Sequence, residues 1–262
     1  MVMPDAIKSF YDEFLRSRMV NYRLEGNLRI EKAVARILPL LRRNSRVLDF
    51  GCGIGMVSEK MADAVPEGKV VAVDVSAENV WYANQTIRKR NLVFLEVDTV
   101  ADWDEIRSHI DAPFDMVVMV DVIEHIPEDE RPALLRSLRS ICGKHALLVL
   151  AYPSPQFLRY LQEQEPDQLQ VVDNVIELDT LLSEAQQAGY SLMHYSLETV
   201  WQRNQYVHCI FQTDDGLGPP RWEPTSFQRR VVERVRRGVD KRLLLPLRQW
   251  RYVTKVFGKQ QV

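Results

Sequence analysis

The chain has 262 residues, 46% of them hydrophobic and 27% charged, with a formal net charge of −2. That length holds one α/β domain with a substantial core and some additional elements, and the composition excludes a disordered or fibrous chain. No apolar run approaches the roughly 18 residues that span a bilayer, and the opening MVMPDAIKSFYDEF lacks the regions of a signal peptide, so a cytoplasmic protein is expected.

The near-neutral total conceals a division. Residues 221–262 carry +9 and the rest of the chain −11, and an acidic body with a basic tail bears on what the protein touches. The three cysteines, Cys52, Cys142 and Cys209, form no C-x-x-C pair, so neither a disulfide nor a thiolate metal site is expected.

In chain order, residues 5–24 mix aromatics with charges (Phe10, Tyr11, Phe14, Tyr22), a pattern for one or two short helices. Ile30, Ala33, Val34, Ile37, Leu38 and Leu41 recur at helical spacing up to Arg42-Arg43-Asn44-Ser45. A strand is predicted over 46–50, a glycine-rich turn over 51–55, and then a helix with Val57, Met61, Ala64 and Val65 on one face. Strands follow over 69–73, 92–95, 114–120 and 145–151, alternating with helices over 77–90, 103–110 and 132–141. Residues 152–176 hold prolines, glutamines and acids and read as an inserted substrate loop rather than core. A helix marked by Leu178, Leu181, Leu182 and Ala185 precedes two strand-like runs, 191–197 and 205–212, that suit a terminal antiparallel pair. Beyond the linker at 216–220, Phe227, Val231, Val235 and Val239 stripe a basic helix, and Trp250 and Phe257 continue an apolar face past Pro246. Such a tail suits an anionic membrane surface, a second copy, or its own acidic body.

Strands apolar on both faces, alternating with helices, indicate a parallel sheet covered on both sides, with ligands beyond the carboxyl ends of its strands. Asp49, Asp74, Asp98 and Asp121 all fall at or near such ends. In Gly51-Cys52-Gly53-Ile54-Gly55 a glycine stands at every second position, where the backbone must bend tightly and lie close to a ligand. A dinucleotide fingerprint would need its third glycine at position 56, and this chain has Met56. Asp74 stands at the end of the second strand, where a carboxylate can accept hydrogen bonds from both ribose hydroxyls of a nucleoside; Ser76 and Glu78 also allow a helix-capping role.

The stretch VLDFGCGIG resembles the first motif of class I S-adenosylmethionine-dependent methyltransferases, and FDMVVMVDVIEHI resembles their fourth. The local VIEHI is most similar to quinone-biosynthesis and other small-molecule O-methyltransferases, which usually carry glutamate where this chain has Asp121. The resemblance covers residues 46–151 well and 177–212 loosely. It implies a doubly wound, mostly parallel seven-stranded Rossmann-like sheet. Residues 1–45 would form lid or packing helices, 46–214 the cofactor-binding core with its insertion at 152–176, and 221–262 the basic helical tail. It further implies S-adenosylmethionine held by Asp49, Gly51, Cys52, Gly53 and Gly55 at the turn, Asp74 and Val75 at the ribose, Asp98 and Thr99 at the adenine, and Val120 and Asp121 near the methyl. Tyr11, Tyr22 and Arg29 are candidate lid residues.

His125 is the candidate general base, because an imidazole can take a hydroxyl proton near neutral pH as the methyl arrives. A lesser reading has Asp121, Glu124 and His125 hold a divalent ion with a distant ligand such as His194 or His208; no metal is the main expectation. The expected function is methyl transfer to a hydroxyl of a small molecule or glycan. The alternatives are 2′-O-methylation of an RNA 3′ end, which the acidic body disfavours, and a nucleotide-binding module without catalysis.

Overall fold

The computed structural model describes residues 26–97, 103–169 and 173–213. The expected helices before residue 26 with Tyr11 and Tyr22, the pair Asp98 and Thr99, and the basic tail lie outside the described residues. Asn27 opens helix α1 (Leu28–Ile37), its side chain accepting from the N–H groups of Arg29 and Ile30. A short amide cap of this kind satisfies donors that the first helical turn leaves open.

Strands β1 (Arg46–Phe50), β2 (Lys69–Asp74), β3 (Leu92–Glu96), β4 (Phe114–Val120), β5 (Cys142–Pro153), β6 (Ser191–Glu198) and β7 (Tyr206–Gln212) form one sheet in the order β3-β2-β1-β4-β5-β7-β6. The first five are parallel; Leu48 of β1 pairs with Val71 of β2 and Val117 of β4. β7 runs antiparallel to both β5 and β6. The order turns back at β1, so β1 and β4 diverge into connections on opposite sides, which is where such sheets hold ligands.

Helices α2 (Met56–Ala64), α3 (Ala77–Thr86), α4 (Trp103–Ser108), α5 (Arg131–Ile141), α6 (Pro155–Gln164) and α7 (Leu178–Gln187) complete the described fold. Successive strand residues point to opposite faces. Val47, Val118, Val149 and Ile210 therefore pack with Ala33, Ile37 and Met61 of α1 and α2. Leu48, Val117, Leu148 and Phe211 pack with Leu138 and Leu181 of α5 and α7. On that second side buried Arg131 donates from Nε and Nη2 to the two carboxylate oxygens of Glu184, both at 3.0 Å, and ties α5 to α7.

The expected terminal antiparallel pair is present as β6 and β7. The stretch 152–176 is a correction. Tyr152 is a fully buried residue of β5, and α6 follows with Leu158 and Leu161 buried. The prolines that suggested a loop stand where proline is tolerated: Pro155 occupies the first helical turn behind the cap Ser154, where no intrahelical N–H bond is required. The helix expected over 77–90 ends at Thr86, because Ile87 turns to extended backbone and is buried with Phe94 and Ala83. Among the described residues no helix is long and apolar enough to cross a membrane.

Candidate active site

The first half of the candidate site is the turn between β1 and α2. Gly51, Gly53 and Gly55 have φ of 78°, 53° and 79°, a left-handed backbone that favours glycine. A Cβ at Gly51 would lie 2.3 Å from Val122 and one at Gly55 2.6 Å from Phe94, so close packing also fixes the first and third glycines. The N–H groups of Gly51 and Cys52 both reach the carbonyl of Val73, at 2.9 Å, joining the turn to β2.

Asp74, at the end of β2, takes the N–H of Gly53 on Oδ2 at 2.7 Å. Its Oδ1 accepts from the N–H of Ser76 at 2.9 Å and from Asn79 Nδ2 at 3.2 Å. Ser76, not Asp74, caps α3. Asp74 thus locks the glycine turn to the head of the next helix while presenting its carboxylate at the strand end, and Val75 beside it is half-buried. Beneath the turn, buried Asp49 accepts from Ser58 Oγ at 2.5 Å. Burial pushes the Asp49 carboxyl up to about 7, with the nearby Asp74 charge adding to the shift. Burial likewise raises the Cys52 thiol well above its ordinary range, so Cys52 is a space-filler and not a thiolate. A turn with backbone donors at a helix start, flanked by a strand-end carboxylate, fits a nucleoside with a charged tail.

The second half of the candidate site begins where β4 ends at Val120. Asp121 has φ of 56°, uncommon for a residue other than glycine. Its N–H is held by the carbonyl of Ala151 at 2.8 Å. Arg29 of α1 places Nε 3.2 Å from Asp121 Oδ2 and donates from Nη1 to the Tyr206 hydroxyl at 2.9 Å. The Arg29 guanidinium also lies over the Tyr206 ring, 5.6 Å from its centroid. Burial raises the Asp121 carboxyl, and the charges of Arg29 and His125 oppose that rise.

A single 3-10 turn, Ile123–His125, then buries Glu124 and His125. His125 Nδ1 lies 3.1 Å from Asp173 Oδ1, and Nε2 lies 3.8 Å from Glu124 Oε1. Burial pushes the Glu124 carboxyl up to about 8, against the pull of His125 and with the charges of Asp121 and Asp173 adding. Asn174 pins the turn from outside. Its N–H and Nδ2 donate to the Glu124 carbonyl at 2.8 and 3.1 Å, and Nδ2 also reaches the Ile126 carbonyl at 3.1 Å.

A methyltransferase-domain family matches the chain over residues 21–195. The chain belongs to that family. The matched residues form a methyltransferase domain, and the fold is that of the class I S-adenosylmethionine-dependent enzymes. The methyltransferase is 29% identical over 111 residues to ribosomal protein L11 methyltransferase of Thermotoga maritima, a match covering 42% of this chain and 38% of that protein. It is 31% identical over 125 residues to ubiquinone biosynthesis O-methyltransferase of Xanthomonas axonopodis pv. citri, covering 47% and 48%. The chain thus spans less than half the length of either curated relative. Among solved structures, magnesium protoporphyrin IX methyltransferase of Synechocystis PCC 6803 with bound SAH shares the fold, with a TM-score of 0.57 and 18% identity over 78% of this chain and 98% of that one.

In this methyltransferase the structure brings Asp49, Gly51, Cys52, Gly53, Gly55 and Asp74 together around one turn, and Asp121, Glu124 and His125 around the next. Arg29, named as a lid candidate, joins the second group through Asp121. His194 and His208 do not join it. His208 is buried beside Glu198, Arg36 and Lys32, where burial pushes its imidazole down to about 4, and His194 contacts Ser196. Among the described residues no group of three or more His, Cys, Asp or Glu is arranged to hold a metal ion. Sequence reasoning missed Ser58, Asp173, Asn174 and Tyr206. Ser58 stands in the first turn of α2, and its bond to Asp49 is seen only once the turn is built; the other three carry no local pattern either.

Proposed function

We propose that this methyltransferase transfers the methyl of S-adenosylmethionine to a hydroxyl of a small molecule or glycan, with His125 as the base. The observation that carries this reading is the placement of His125. It lies one turn beyond β4, on the edge that holds the glycine turn, with one ring nitrogen 3.1 Å from the Asp173 carboxylate. The O-methyltransferase relative named for ubiquinone biosynthesis supports the same class of acceptor.

The sulfonium cofactor supplies a methyl already activated for displacement, so the chain's tasks are alignment, exclusion of water and removal of one proton. When bound, the cofactor would give its methyl to the acceptor oxygen and depart as a neutral thioether, and the hydroxyl proton would pass to His125 Nε2. The imidazolium that results faces the carboxylate of Asp173, which offsets its charge. Arg29, ion-paired with Asp121 and hydrogen-bonded to the Tyr206 hydroxyl, ties α1 to the residue after β4 and to the start of β7.

The test is transfer from methyl-labelled S-adenosylmethionine to phenols and sugar hydroxyls, with an RNA 3′-end oligonucleotide and a lysine peptide as contrasts. Label on a hydroxyl compound, lost in His125→Ala, supports the reading. Label on the RNA moves the substrate class, label only on the peptide removes the hydroxyl acceptor, and cofactor binding with no transfer to any of them favours a non-catalytic module.

A further inference from the structure

We infer that Asp173 is the positioning residue for His125: its carboxylate holds the Nδ1 proton and so leaves Nε2 as the nitrogen that meets the acceptor. This rests on His125 being the base. The two residues come from segments far apart in the chain, yet both side chains are about nine-tenths buried, at 8% and 10% exposure, with 3.1 Å between Nδ1 and Oδ1. A carboxylate can only accept, so a ring nitrogen at that distance is the donor. A neutral imidazole has one ring proton, and placing it on Nδ1 puts the lone pair on Nε2.

The arrangement is held from the backbone as well. Asn174, the next residue, makes three hydrogen bonds to the carbonyls of Glu124 and Ile126, on either side of His125. The carboxylate and the ring are therefore fixed to the same turn. Glu124 faces Nε2 at 3.8 Å, beyond hydrogen-bond reach. Burial raises its carboxyl toward the protonated form, which makes it the weaker acceptor for the ring proton. The third acid whose titration feels the ring is Asp121, and Arg29 occupies it.

The experiment uses the full chain with 15N-labelled histidine, saturated with S-adenosylhomocysteine, at a pH where the ring is neutral. The His125 signals are identified by their loss in His125→Ala. The wild type is expected to show Nδ1 protonated and Nε2 bare. Asp173→Leu should reverse this to the Nε2–H form, and Asp173→Glu should restore the wild-type pattern in part. A wild-type ring protonated on Nε2, or an unchanged tautomer in folded Asp173→Leu, overturns the inference; if the leucine variant does not fold, the wild-type spectrum decides alone. Failure of the underlying reading looks different: His125→Ala would keep full methyl transfer while the ring still showed the Nδ1–H form.

Discussion

The two halves of the ligand-bearing edge are made in different ways. The proposed cofactor half is nearly contiguous: Asp49, the three glycines and Ser58 fall within ten residues, and Asp74 arrives on the neighbouring parallel strand. The proposed acceptor half draws Arg29 from α1, Asp121 and His125 from the end of β4, Asp173 from the segment before α7, and Tyr206 from the start of β7. A binding turn that every related reaction shares can be written as one local motif. A surface that must fit one particular acceptor is gathered from loops, which vary without disturbing the scaffold.

If the halves are separable, damage to one should leave the other intact. The largest effect is expected for Gly53→Val, which forces a branched side chain onto a left-handed backbone facing the ligand. Cofactor binding should fall below calorimetric detection while the His125 tautomer of the ligand-free protein stays as in the wild type. His125→Ala should do the reverse, lowering kcat by about 10²-fold or more with S-adenosylmethionine affinity within about twofold. A variant of His125 that weakens the cofactor as much as it slows turnover would break the comparison. Asp74→Ala comes next. Losing a hydrogen bond to a charged group costs about 1.5–3 kcal/mol, so affinity should drop roughly 10- to 150-fold. Asp74→Asn sharpens the point, because its amide retains an acceptor for Gly53 N–H; recovery of more than half the lost affinity would assign Asp74 chiefly to holding the turn.

The smallest effect is on stability against pH. Glu124 keeps its proton in the folded protein up to about 8, against 4.5 for an unperturbed glutamate, and Asp49 up to about 7 against 3.8. Between those values the folded chain binds more protons than the unfolded one, so stability falls as pH rises. The contribution is complete below the lower value and is lost as pH climbs through the upper. The melting temperature should therefore decline from pH 5 to pH 8.5. Glu124→Gln should flatten the decline up to its end, and Asp49→Asn only the part below about pH 7. A melting temperature flat over that range in the wild type would contradict both carboxyl assignments.

Most of the cofactor half was legible in the sequence because its signals are local. Glycine spacing, a strand-end aspartate and alternating apolar runs each occupy a few residues, and a parallel sheet covered on both faces followed from them. The acceptor half was legible only where it touched a motif: His125 and Asp121 could be named, and their partners could not. Asp173 stands in an acidic, glutamine-rich stretch in which nothing marks one carboxylate over another. Tyr206 reads as an ordinary strand residue until β7 is found to run against its neighbours, which brings its first residue, and not its last, to the site. The misreading of 155–164 has a separate cause. Its prolines and glutamines are loop-like in number, and only their position, with Ser154 before Pro155, marks a helix start.

The reversal of β7 has a consequence for how such a protein can diversify. Because β6 runs with β5 and β7 runs back, the hairpin over residues 199–205 hangs at the same edge as His125, with Trp201 61% exposed on it. Its base is stapled by Gln205, whose side chain accepts from the N–H groups of Trp201 and Gln202 and whose carbonyl takes Ser154 N–H. Lengthening a hairpin above such a staple costs only about 0.6 kcal/mol of closure entropy per doubling, and no parallel strand or glycine needs to move. A duplicated gene could therefore acquire a new acceptor by insertions at this one hairpin while inheriting its cofactor turn unchanged.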